Sequence, residues 1–363
     1  MADQALASVV VAPGTLEVQQ VSIPDGSADA GLLRVERTGV CGTDVRDLPR
    51  GDLPKRIMGH EIVGTVAGLG AQAQRRWGLA EGDRILLEEY LPCGICRACR
   101  SGDYRLCEQT DILTSSRALR YGATPLDVAP GLWGGYSQYV YLHPQTVFHR
   151  VPDGVPPELA PMAIPMSNGY EWAYKVGGAA PSEPVVILGP GQQGLSCLLA
   201  ARIAGAGPVI VAGLGKDAAR LAIARELGAD RVVDLERESL VDVVAEATSG
   251  RMASVAIDTA ACSEASLRDA MSVLAKNGRL VICARNDRPI PVNMGVVRAK
   301  TLTVTGVRGH SYQAVEWALA ALVEHAAEAA RLSAGTFGLA DLYQALAVTG
   351  DGSAIHVSVD PWK

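Results

Sequence analysis

Short apolar runs punctuated by glycine fill the first 150 or so residues. LLRVERTGV, HEIVGTVAGLG, DRILLEEYL and GGYSQYVYLH show partial two-residue alternation, which predicts an irregular, mainly β region with long loops. Prolines 152, 156, 157, 161 and 165 then crowd the chain, and a helical stretch follows from about Ser167 to Val176. From Pro184 the texture changes again. PVVILG precedes QQGLSCLLAARIAG, PVIVAG precedes DAARLAIARELG, and RVVDL, SVAIDTA and RLVICA continue the alternation of strand and helix. Strands this apolar have no wet face, so the repetition predicts a parallel sheet covered on both sides. We expect a mainly β domain over 1–164, a doubly wound α/β domain over 165–305, and a return of 306–363 to the first domain. The final strand, SAIHVSVDP, places Val357 and Val359 in alternation with polar residues.

Composition narrows the class of protein. With 363 residues and 48% hydrophobic content the chain has material for two cores at roughly 150 residues each. Thirty-three basic residues face 39 acidic ones, a formal net charge of −6, and no block of like charge is present. A nucleic-acid groove or an anionic membrane surface is therefore not the expected partner. The first residues, MADQALASVV, lack the basic start of a secretory signal, and no apolar run has bilayer length. Eight cysteines without such a signal point to a reducing compartment, and the cytoplasm is the expected location.

One turn carries a cofactor signature. Gly189-Pro190-Gly191-Gln192-Gln193-Gly194 follows a strand directly and opens a helix. There the first glycine permits the turn, the second lets a pyrophosphate approach, and the third lets helix and strand pack. A ribose-binding carboxylate is expected about 20 residues on, at the end of the next strand. Gly213 stands there instead, followed by Lys216 and Arg220, which favours the 2′-phosphate of NADP(H) over NAD(H). The alternative is that both cations are solvated and Asp217 serves the ribose.

Cys93, Cys96, Cys99 and Cys107 place four thiolates in one loop. Four sulfurs suit tetrahedral zinc and leave no position for substrate, so the expected site is structural. An iron–sulfur cluster competes on the two-residue spacings, but the last interval is wrong for the common ferredoxin run. Cys197, Cys262 and Cys283 lie in apolar surroundings and read as core residues.

Taken together, Cys41-Gly42-Thr43-Asp44, Gly59-His60-Glu61, the four-cysteine lobe, GGYSQYV and the later glycine turn resemble the zinc-containing medium-chain alcohol dehydrogenases. The motifs occur in that family's order along essentially the whole chain. The resemblance implies a GroES-like catalytic domain interrupted by a Rossmann domain, with the active site in the cleft between them, a small-molecule substrate, and a homodimer or homotetramer. It also implies Cys41 and His60 as ligands of a second, catalytic zinc, Thr43 as the group that passes the substrate proton, and Glu61 as a nearby or alternate ligand. Asp44 would brace the loop.

Two positions depart from the family pattern. The third zinc ligand is expected about 25 residues before Gly189, where this chain has Ile164, and a proton-relay histidine is replaced by Arg46. Three readings follow. Cys41, His60 and Glu61 together hold zinc for alcohol–carbonyl interconversion; or the chain is a zinc-free NADPH reductase of an activated C=C, C=N or C=O bond; or it binds cofactor without turnover as a sensor or scaffold. Trp133, Tyr136, Trp172 and Tyr174 are open between pocket lining and core packing.

Overall fold

The structure is a computed structural model that describes residues 4–111, 113–115, 119–260, 262–286 and 288–363. Glycine-punctuated runs at the N-terminus become β1 (Gln4–Ala12), β2 (Thr15–Ser22), β3 (Gly31–Gly39), β4 (Arg56–Ile57), β5 (Glu61–Leu69), β6 (Arg84–Leu87), β7 (Tyr139–Leu142) and β8 (Phe148–Arg150). β1, β2 and β4 form a small antiparallel sheet. β3 pairs with β5 through two irregular steps, and β6 and β8 extend the sheet outward. Side chains alternating along these strands meet in a core of Leu33, Val35, Ile62, Ile85 and Leu87, none exposed. Burying each such aliphatic side chain is worth about 1.5–3 kcal/mol.

The strand–helix repetition becomes β9 (Val185–Leu188), β10 (Val209–Gly213), β11 (Arg231–Asp234), β12 (Ala253–Asp258), β13 (Leu274–Ile282) and β14 (Thr303–Gly306). Their order is β11-β10-β9-β12-β13-β14, and every neighbouring pair is parallel. The first strand in sequence thus lies centrally and the order reverses beside it, the doubly wound arrangement expected from the apolar runs. β9 is buried at every position, which is why its sequence, VVIL, shows no alternation.

β15 (Ser333–Phe337) and β16 (His356–Val359) complete the larger N-terminal sheet, with β16 antiparallel to β3 and parallel to β15. All four residues of β16 are buried. The alternation in its sequence therefore marks no wet face. With a strand on either side, His356 and Ser358 find partners inside the protein rather than in water.

The chain divides into two compact units, residues 1–163 with 319–363, and residues 164–318. The return to the first unit begins at Leu319, not at 306 as the sequence led us to expect. Residues 309–317 are held by the helical segment before β9. Trp172 Nε1 donates to Gly309 O at 2.9 Å, His310 Nδ1 lies 2.9 Å from Asn168 Oδ1, the Ser311 hydroxyl donates to Glu171, and Trp317 stacks on Tyr170 at 4.6 Å. That segment is α-helical over Ala163–Gly169 and then a π-helix over Tyr170–Val176. Among the described residues, no helix is long and apolar enough to cross a membrane. Replacing Trp172 by Phe leaves the Gly309 carbonyl without its donor and should cost about 1–3 kcal/mol in urea unfolding. An unchanged midpoint would show that this bond does not hold 309–317 in place.

Candidate functional site

The glycine turn sits between β9 and the helix Gln192–Ile203. Gly189 has φ +98°, and a Cβ there would meet Ala260 at 2.9 Å. A Cβ at Gly194 would fall 1.9 Å from the Gly189 carbonyl, so helix and strand close on each other only because it is absent. Gly191 differs: nothing lies within 4 Å of the Cβ position, leaving room for a ligand against the backbone. Gln192 Nε2 and Gln193 Oε1 are buried there with no hydrogen-bond partner among the described residues, and Gly191 gives the helix no side-chain cap. An open cradle at a helix N-terminus, with the Gln192 Nε2 donor unsatisfied, fits an anionic group such as a pyrophosphate.

At the end of β10, Gly213 is buried, with Pro190 Cδ at 3.0 Å and Asp217 Cβ at 3.2 Å from the position of its missing side chain. Asp217 accepts from Leu214 N at 3.1 Å and pairs with Arg220 at 3.4 Å. Glu236, unremarked in the sequence, accepts from Gly215 N at 2.8 Å. Arg220 is thereby engaged, and Lys216 is the exposed cation of this turn.

The four cysteines converge as their spacing predicts. Their sulfurs all lie within 4.8 Å of one another, with Cys96–Cys99 at 3.4 Å, Cys93–Cys99 at 3.9 Å and Cys96–Cys107 at 4.0 Å. A tetrahedron with metal–sulfur bonds of about 2.3 Å has edges of about 3.8 Å, so the set fits zinc. Burial pushes the Cys107 thiol up, but the Cys93 N–H at 3.3 Å, the Thr110 hydroxyl and the Gln109 N–H outweigh it and bring the pKa to about 6.

A second set forms where β3 and β5 meet. Cys41 follows β3, while Glu61 opens β5 directly after His60. Cys41, His60 and Glu61 each place one ligand atom within 4.8 Å of the others. Asp44 holds two of the three. Its carboxylate accepts from Cys41 N at 3.0 Å and from the Tyr136 hydroxyl at 2.9 Å, and it faces His60 Nδ1 at 3.5 Å. Burial works against ionising Asp44, yet the charge and contact of His60, with those two donors, bring its pKa below the ordinary value. Burial likewise opposes charging His60, but Asp44 and Glu89 hold its pKa well above normal. With Nδ1 turned to a carboxylate, Nε2 is left for a cation, and the same negative surroundings favour one there. Thiolate, imidazole and carboxylate are a fitting zinc donor set, and three ligands leave a fourth position open.

Thr43 is half-buried, its hydroxyl 3.5 Å from Cys41 Sγ. Arg46 is half exposed and faces Asp47 at 3.5 Å. Ile164 is buried on the helix Ala163–Gly169 and offers no donor atom. Of the four aromatic residues left open, Trp133, Tyr136 and Trp172 are buried and Tyr174 is exposed. Cys197 is in the core as expected, but Cys262 is a half-buried loop residue at φ +43° and Cys283, half-buried, lies just past β13. The sequence reading also missed His356, whose Nε2 lies 3.0 Å from Glu61 Oε2 with both side chains buried. No local spacing joins two residues 295 positions apart.

The two glycines should separate cleanly on mutation. Gly194→Ala should lose about 1–3 kcal/mol of stability by overpacking. Gly191→Ala should unfold within about 0.5 kcal/mol of the parent while weakening dinucleotide binding roughly tenfold or more in a fluorescence titration. Equal stability losses would mean that Gly191 does not face open space. Asp44→Asn should lower metal affinity about 10–100-fold, read as metal content after dialysis against a chelator. Full retention would show that Asp44 does not orient the donors.

Comparison with known proteins agrees with this geometry. Residues 27–153 match the family described as alcohol dehydrogenase GroES-like domain, and residues 194–324 match zinc-binding dehydrogenase. A probable alcohol dehydrogenase of Mycobacterium tuberculosis is 39% identical over 280 residues, 76% of this chain and 74% of that one. A sorbitol dehydrogenase of Bacillus subtilis is 27% identical over 299 residues, 80% of this chain and 78% of its own. Among solved structures, an alcohol dehydrogenase from Thermotoga maritima superposes with a TM-score of 0.87 at 24% identity, covering 98% of this chain and 99% of that one. With a GroES-like β unit, a parallel Rossmann sheet and these relatives, the chain belongs to the zinc-type medium-chain alcohol dehydrogenase family and is an oxidoreductase.

Proposed function

We propose that the chain interconverts an alcohol and its carbonyl compound by hydride transfer with a nicotinamide dinucleotide, NADP(H) in preference to NAD(H). The observation that carries this is the convergence of Cys41, His60 and Glu61 within 4.8 Å, with Asp44 orienting His60 and fixing the Cys41 backbone. Zinc held there would supply a Lewis acid that lowers the pKa of the substrate hydroxyl. The nicotinamide supplies the acceptor for the hydride that leaves the carbinol carbon. Thr43, whose hydroxyl lies 3.5 Å from Cys41 Sγ, would pass the hydroxyl proton on to solvent, so the alcohol would lose one hydride and one proton and gain a C=O bond. Glu61 takes the part of third ligand because Ile164 has no donor atom. The NADP(H) preference rests on Gly213, which puts no carboxylate at the ribose, and on exposed Lys216. Cys93, Cys96, Cys99 and Cys107 hold a second, structural zinc.

One feature supports a different reading. Glu61 Oε2 is already engaged by His356, and a Glu61 that stays there leaves two ligands, the condition for a zinc-free NADPH reductase of an activated C=C, C=N or C=O bond. Elemental analysis joined to steady-state kinetics separates the two. Two zinc ions per chain are expected, with alcohol oxidation lost when a chelator removes one of them. KM should be about tenfold lower for NADP+ than for NAD+, the value of one charge-assisted bond to phosphate. One zinc per chain with chelator-insensitive enone reduction would establish the second reading instead. No turnover in either assay would refute both.

A further inference from the structure

The His356 ring is held at one nitrogen. Its Nε2 lies 3.0 Å from Glu61 Oε2 with both side chains buried, while Nδ1 is buried and has no hydrogen-bond partner among the described residues. The backbone of His356 is fixed: its N donates to Leu332 O at 3.1 Å, and the residue pairs with Ser333 of β15. On the other side of β16 stands β3, whose Gly39 keeps the space between ring and carboxylate clear, since a Cβ there would collide with both. A buried imidazole with one nitrogen unsatisfied forgoes a hydrogen bond. The contact it does make is with a carboxylate that faces a second claim. Glu61 also places an oxygen within 4.8 Å of the donor atoms of Cys41 and His60. Those two are steadied by Asp44, through Cys41 N and His60 Nδ1, whereas Glu61 is steadied from the far end of the chain.

We propose that His356 is a positioning residue that competes with the metal for the Glu61 carboxylate, so that the C-terminal strand sets how tightly the second metal is held. This rests on the reading of Glu61 as the third donor. An imidazole N–H and a divalent cation both draw on the charge of one carboxylate, so each weakens the other. In the metal-free protein the Nε2–H bond stabilises a buried charge; a cation weakens or breaks that bond, and its affinity falls by the difference. Replacing the imidazole by an apolar side chain leaves the charge buried and unpaired, and a cation is then the partner that relieves it. The direction is opposite to that of Asp44. A carboxylate behind a ligating histidine raises the basicity of the ring. A donor behind a ligating carboxylate draws charge away from the metal. Asp44 therefore raises the affinity of the donor set and His356 lowers it.

The test measures metal binding rather than turnover, by chelator competition with zinc and with cobalt(II), whose visible absorption reports the coordination of the second site. His356→Met removes the N–H and keeps a flexible side chain in the space, and His356→Gln restores a donor. Affinity for the second metal should rise roughly tenfold or more in His356→Met, the worth of one charge-assisted hydrogen bond, and return towards the parent in His356→Gln. Adding His356→Met to Glu61→Gln should leave affinity unchanged. Equal or weaker binding in His356→Met, the result if the imidazole instead orients Glu61 for the metal, would overturn the proposal, as would a tightening that persists beside Glu61→Gln. In either case a parent that holds two metals leaves the dehydrogenase reading standing. A parent with one metal and a His356→Met variant with two would support the competition and assign the native chain to the zinc-free reading. No second metal in any of these proteins would overturn both. If His356→Met does not fold, the unmutated protein decides. With 15N-labelled histidine, six rings in all, the His356 Nε2–H signal, identified by its loss in His356→Gln, should shift when zinc is loaded, and an unmoved signal would overturn the proposal.

Discussion

The Asp44 carboxylate is the group on which the donor set depends. Only 3% exposed, it would cost several kcal/mol to bury without compensation. Compensation comes from Cys41 N–H, Tyr136 O–H and the His60 ring, so the contacts that make its burial tolerable also hold two residues of the candidate donor set. Its position on the chain makes this possible. Asp44 is the third residue of the helix Gly42–Asp47, from which a side chain reaches back to the N-cap residue, here Cys41. A helix of six residues is too short to be stable alone. The contacts through Asp44 tie it to His60, the residue before β5, and to Tyr136, and a local capping contact becomes a tertiary one.

Sheet register positions Glu61, the remaining candidate donor. Gly39 pairs with Glu61 on one side and with Ser358 on the other. Glu61 and His356 therefore meet across the residue between them, and Gly39 leaves them the space: a Cβ there would sit 2.1 Å from Glu61 Oε2 and 2.7 Å from His356 Nε2. Since the carboxylate can only accept, the imidazole donates its Nε2–H. The C-terminal strand is thus part of the site's support, and its return to β3 brings a polar partner to a carboxylate that would otherwise be buried alone.

What was legible in the sequence follows the distance over which each feature is encoded. The glycine turn and the cysteine loop need only residues close in the chain, so spacing sufficed, and the structure adds why each glycine is there. The parallel sheet was legible because buried strands lose their alternation. At β16 the sequence does alternate, yet His356 and Ser358 are buried between two strands. The expected boundary at 306 failed for a related reason. Residues 309–317 belong with Asn168, Tyr170, Glu171 and Trp172 through hydrogen bonds and ring stacking that no periodicity announces.

Just past β6 the chain commits two consecutive carboxylates to different tasks. Glu88 is fully buried, bonded by the Tyr104 hydroxyl and 3.3 Å from His149 Nε2, while Glu89 pairs with Arg120. Tyr104 lies three residues before Cys107, in the short turn that closes the cysteine lobe. The lobe therefore grips β6 through Glu88, and the backbone that Glu88 fixes carries Glu89 in the next position. A closed four-sulfur lobe offers substrate no coordination site, but it constrains the residue that precedes the charged pair beside His60. Cross-linking that loop with a metal removes conformations that a 15-residue segment, Cys93 to Cys107, would otherwise sample, and the entropy so removed favours a single placement of Glu88 and Glu89. Order beside the His60 donor set would in this way be drawn from the cysteine lobe.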